Sequence, residues 1–90
     1  MAGHAHTVQL KPAAQRDLEK IKDRAALRRI ARAIDHLQTN PRPTGAKALE
    51  GDSAVLRIRV GDYRILYTIE DKVLLVLVIH IGHRRDVYRR

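Results

Sequence analysis

The sequence predicts an α+β domain: an N-terminal strand and a two-helix hairpin packed on an antiparallel sheet of about four strands. Three observations carry this. Apolar residues recur at helical spacing between Ala14 and Leu37. They alternate at a spacing of two from Leu56 to Tyr67. Gly61-Asp62 interrupts that alternation as a two-residue hairpin turn would.

The elements follow in order. Residues 6–10 read as a short strand, with Val8 and Leu10 alternating against polar neighbours. Pro12 suits the first turn of a helix, where its missing N–H costs nothing. Ala14, Leu18 and Ile21 then give that helix one apolar stripe. Asp23 is placed to cap a second helix. Leu27, Ile30, Ala31, Ile34 and Leu37 form its apolar side, with Arg28, Arg29, Arg32 and Asp35 opposite. Asn40, Pro41 and Pro43 end it. Residues 44–54, rich in small and turn-forming types, read as a connection.

Strands are expected at 55–60, 63–69 and 73–81. A two-residue loop pairs Val60 with Tyr63, Ile58 with Ile65 and Leu56 with Tyr67, and these six make one apolar face. The opposite face then carries Arg57, Arg59 and Arg64, with Arg59 directly across from Arg64. Val73 to Ile81 is almost continuously apolar, which predicts a central strand buried on both faces.

Composition narrows the function. With 90 residues there is room for a single domain, 1–90, of which 1–6 is expected to be a mobile tail. Cysteine is absent, so neither disulfides nor thiolate chemistry is available. Met1 to His6 holds no apolar stretch, and the run Val73 to Ile79 is too short to span a bilayer. The expectation is a soluble, cytoplasmic protein with no membrane partner. The net charge of +8 points to an anionic partner. Phe and Trp are missing and Tyr occurs three times, which argues against a base-stacking platform for single strands.

Three guanidiniums on one sheet face suit a phosphate, because each offers a planar fork to its oxygens. The tail Gly82-His83-Arg84-Arg85-Asp86-Val87-Tyr88 leaves the last strand near the Gly61-Asp62 turn and brings a His, a Tyr and more Arg to the same end of the sheet. RNA can be cut by its own 2′-hydroxyl without a metal. Arginines then stabilise the crowded phosphorane, and a His or Tyr moves protons. Arg stays protonated and is not expected to be the base. The candidate catalytic residues on these grounds are Arg59, Arg64, His83 and Tyr88. The candidate phosphate-binding residues are Arg57, Arg59, Arg64 and Arg85. No metal site or cofactor is expected, since His4-Ala5-His6 falls in the tail without partners. His80 is expected to be a packed core histidine.

The runs Leu49-Glu50-Gly51, Leu56 to Tyr67 and Gly82 to Tyr88 resemble the RelE/ParE toxin superfamily of type II toxin–antitoxin systems. The resemblance extends from the Pro12 helix to Tyr88. It implies a helical hairpin on an antiparallel sheet and an acidic, RelB-like antitoxin in a hetero-oligomer. In the RelE-like branch it implies a metal-independent, ribosome-dependent mRNA endoribonuclease acting on ribosome and mRNA. Carried over, Arg64 falls on the phosphate-binding Arg, Arg84 on a second catalytic Arg, and Tyr88 on the C-terminal catalytic Tyr. Arg57 and Arg59 stand where that branch often has Lys. The alternative within the same fold is a ParE-like toxin that inhibits DNA gyrase by protein binding, without RNase activity.

Overall fold

The computed structural model describes residues 6–83. The chain runs β1 (Thr7–Leu10), α1 (Pro12–Lys20), α2 (Arg24–His36), β2 (Lys47–Leu49), β3 (Asp52–Val60), β4 (Tyr63–Glu70), a 3-10 turn (Asp71–Val73) and β5 (Leu75–His83). The five strands form one sheet in the order β1-β5-β4-β3-β2. β1 runs parallel to β5, and the other pairs are antiparallel. The expected α+β architecture is thus present, with a fifth strand and one parallel edge.

Pro12 opens α1 at its first turn. Asp23 caps α2, its carboxylate accepting from the N–H groups of Ala25 at 2.9 Å and Ala26 at 3.2 Å. Such a cap contributes about 1 kcal/mol. α1 lies on β5 and α2 on β3. Their apolar stripes cover one face of the sheet, where Ile30, Leu37, Ile65, Tyr67, Val76 and Val78 are fully buried. The stripe of α2 is rotated slightly from expectation: Ala31 is exposed and Ala26 is buried.

The β3–β4 register is the expected one, with Val60 opposite Tyr63, Ile58 opposite Ile65 and Leu56 opposite Tyr67. Gly61 supplies the positive φ, 60°, at the first turn position.

Four expectations are corrected. The 44–54 connection contains β2, which folds back on β3 through Glu50-Gly51, with Gly51 at φ 91°. The last strand begins at Leu75, because Asp71–Val73 winds into a 3-10 turn and Leu74 adopts φ 51°. β5 is interior but not central, since β4 holds the middle; only one of its faces lies under helices, so Val76, Val78 and Ile81 are buried while their neighbours are half-buried. His6 is no tail residue. It is 9% exposed, its N–H donates to the Gln38 carbonyl at 3.0 Å, and its ring lies 3.2 Å from Asp71. Asp71 also accepts from Arg42 at 2.8 Å; Arg42 foremost, then His6, holds its carboxyl below the usual range. Residues 1–5 lie outside the described residues.

Candidate nucleic-acid interface

Strand register builds this site. With Leu56, Ile58 and Val60 turned to the helices, alternation sends Arg57 and Arg59 to the opposite, helix-free face. Arg64 joins them, directly across from Arg59. In a two-residue hairpin Val60 and Tyr63 exchange both backbone hydrogen bonds, so Arg59 and Arg64 form the closer, non-hydrogen-bonded pair, with Cα atoms about 4.5 Å apart. Arg57 stands opposite Leu66 on one side and opposite Lys47 of β2 on the other. Gly82 of β5 faces Arg64, and His80 faces Leu66.

Two adjacent rows result. One reads Lys47, Arg57, Leu66, His80; the next reads Arg59, Arg64, Gly82. Four of these seven positions are cationic and none is Asp or Glu. Leu66 packs in an apolar island with Val55, Leu49 and Ile79, a surface of the kind that long Arg stems can cover. Gly82 leaves the ground next to Arg64 without a side chain. A phosphodiester can settle there beside Arg64 and, one strand further, Arg59.

Sequence reasoning missed Lys47. The alternation Lys47-Ala48-Leu49 before Glu50-Gly51 was the available signal, but three residues are too few to mark a strand against a loop.

Like charges directly opposed cost stability, something within about 0.2–1 kcal/mol. Arg59 is exposed, so the cost is at the lower end and screened by salt. We expect Arg59→Gln to raise the melting temperature slightly at low ionic strength and to lose that gain in high salt. Paired thermal melts check this. A lower melting temperature at low salt would mean that the two guanidiniums do not repel.

The remaining candidates divide. His83 is at the same end of the sheet but on its other face: it pairs with Tyr63, and the two rings meet edge to face at 5.8 Å. It therefore does not join the arginine rows. Arg84, Arg85 and Tyr88 lie outside the described residues. His80 is not a core residue. An extra residue at the β5 bulge displaces it, its side chain is 31% exposed, and Nδ1 lies 2.8 Å from Asp17 of α1.

A family model described as the ParE toxin of the type II toxin–antitoxin system parDE matches residues 8–88. The toxin RelG of Mycobacterium tuberculosis is 32% identical over 85 residues, which is 94% of this chain and 98% of that toxin. Toxin RelE of the same organism is 34% identical over 87 residues, covering 96% and 89%. Among solved structures, the RelBE2 toxin–antitoxin complex of M. tuberculosis superposes with a TM-score of 0.78 at 29% identity, covering 90% of this chain and 93% of that one.

Proposed function

Because the chain belongs to the ParE toxin family of type II toxin–antitoxin systems, we propose that it is the RelE-like kind of toxin: a metal-independent, ribosome-dependent endoribonuclease that cuts mRNA and stops translation. The observation that carries this reading is the pair of rows holding Lys47, Arg57, Arg59 and Arg64 on one helix-free face. A charge set without a carboxylate among its positions suits a phosphodiester, and it stabilises most strongly the extra negative charge of the phosphorane. Arg84 and Tyr88, which follow β5 in sequence, are proposed to complete the site, with Tyr88 in proton transfer and Arg85 on the RNA backbone. His83, which pairs with Tyr63 on the other face of the sheet end, is given no role in this site.

A second reading, inhibition of DNA gyrase by protein binding, is favoured by the name of the matching family model. The two separate in cells. We expect expression of the chain to produce codon-phased mRNA 5′ ends that vanish in an Arg64→Ala, Tyr88→Ala double variant. DNA breaks with intact mRNA would instead establish the gyrase reading.

The proposed partner is an acidic RelB-like antitoxin, by analogy with the RelBE2 complex. A groove lined by Arg29, Arg32, His36 and Arg59 around Ile58 and Val60 offers such a chain both charge and apolar contact. No helix of the described residues is long and apolar enough to cross a membrane. The proposed place of action is the cytoplasm, where ribosomes are.

A further inference from the structure

We propose that His80, held by Asp17, is the base that takes the 2′-hydroxyl proton on this face; the inference rests on the nuclease reading above. Three observations support it. First, register puts His80 in the same row as Lys47 and Arg57, and two residues from Gly82, which faces Arg64. The β5 bulge brings this about. Ile79 packs with Val55 and Leu66 on the arginine side, whereas Ile81 belongs to the helix-side core. His80 between them is opposite Leu66.

Second, β1 stops at Leu10, opposite Val78, so the outer edge of β5 beyond that point has no strand beside it. Asp17 takes the vacant place. One carboxylate oxygen accepts the Ile81 N–H at 2.9 Å and meets His80 Nδ1 at 2.8 Å. With Nδ1 donating to that carboxylate, the lone pair of the neutral ring lies on Nε2. A carboxylate holding an imidazole in the working tautomer is a recurring device of acid–base catalysis.

Third, His80 lines a cavity of about 550 Å³ at this edge. The charged and titratable groups around it are Asp17 and Lys20 of α1, Lys22 and Asp23 after α1, Tyr63 of β4 and His83 of β5. Arg64 stands beyond Gly82. Ile81, Tyr63 and His83 in its lining place the cavity on the helix side of this edge, so His80 stands at the sheet edge between it and the phosphate-binding rows.

In the reaction, Nε2 takes the proton of the 2′-hydroxyl. The 2′-oxygen forms a bond to phosphorus and the bond from phosphorus to the 5′-oxygen breaks. The products are a 2′,3′-cyclic phosphate and a 5′-oxygen that takes a proton from water; His80 then releases its own proton to solvent. His80 is the catalytic residue and Asp17 a positioning residue.

The test is single-turnover cleavage on ribosomes programmed with a short mRNA, for wild type, His80→Gln, His80→Ala and Asp17→Asn, across about pH 5.5 to 8.5. His80→Gln keeps a donor for Asp17 and so keeps the edge closed. Both His80 variants are expected to be slower by about 100-fold or more and to lose the fall in rate on acidification. Added imidazole restores part of the rate to His80→Ala. Asp17→Asn is expected to be slower by about 10- to 100-fold while keeping the acidic limb. If wild type cuts and the His80 variants match its rate and pH profile, or slow without losing the acidic limb or gaining rescue, this inference is overturned alone. If wild type cuts nothing, the nuclease reading falls and takes the inference with it.

Discussion

Arg64→Ala is expected to slow mRNA cleavage on programmed ribosomes by about 100- to 1,000-fold, the loss typical of removing one preorganised donor from a developing oxyanion. Arg64 sits in the middle of the cationic rows, with Arg59 across one strand gap and the bare ground of Gly82 across the other. It is half-buried, so its guanidinium works closer to the protein interior than that of exposed Arg59. The loss should fall on the chemical step, because the phosphorane carries more charge than the diester. Arg64→Lys keeps the charge but not the planar fork, and we expect it to recover only part of the rate. Arg59→Ala should cost less than Arg64→Ala. Equal single-turnover rates for wild type and Arg64→Ala would remove the arginine face from the chemistry.

The second large effect concerns Tyr67, which is fully buried in the core and donates its hydroxyl to the Pro41 carbonyl at 2.8 Å. That bond ties the turn after α2 to the middle strand. Burial pushes the phenol up to about 12, against a small opposing pull from Arg42. The unfolded chain releases this proton near its ordinary value of about 10. The folded-state value is the raised one, so the contribution is fully present below about pH 10 and fades as pH climbs through about 12. Denaturant unfolding at about pH 11.5 should therefore give a stability lower by roughly 2 kcal/mol from this group alone. Tyr67→Phe should flatten that alkaline loss while costing about 1–2 kcal/mol at neutral pH, because the Pro41 carbonyl loses its donor. Lys residues titrate in the same range, so the comparison with Tyr67→Phe isolates the phenol. An identical alkaline slope in the two proteins would contradict the assignment.

How far the sequence could be read depended on the range of the forces involved. The β3–β4 register was legible because a two-residue turn and a two-residue side-chain period leave one pairing that buries Ile58, Ile65 and Tyr67 together. With it came Arg57, Arg59 and Arg64 on a single face. The Asp23 cap was legible because its hydrogen bonds reach only Ala25 and Ala26.

Features made by distant residues were not legible. His6 is anchored by Asp71, 65 positions away, and nothing near His6 announces it. β1 pairs in parallel with β5 across nearly the whole chain. The bulge between Val78 and His80 has no sequence mark, yet it shifts the face of every residue before it relative to those after it. That shift separates His83 from the arginines and brings His80 to them. Lys47 was hidden by the shortness of β2.

The most direct measurement is the structure of the full chain on a ribosome whose mRNA carries a 2′-O-methyl group at the cleavage position, so that the complex survives. The guanidiniums of Arg59 and Arg64 are expected on the oxygens of the scissile phosphate, with Arg57 and Lys47 on a neighbouring one. An mRNA lying against another surface, with Arg59 and Arg64 turned away from it, would mean that the arginine face is not the cleavage site.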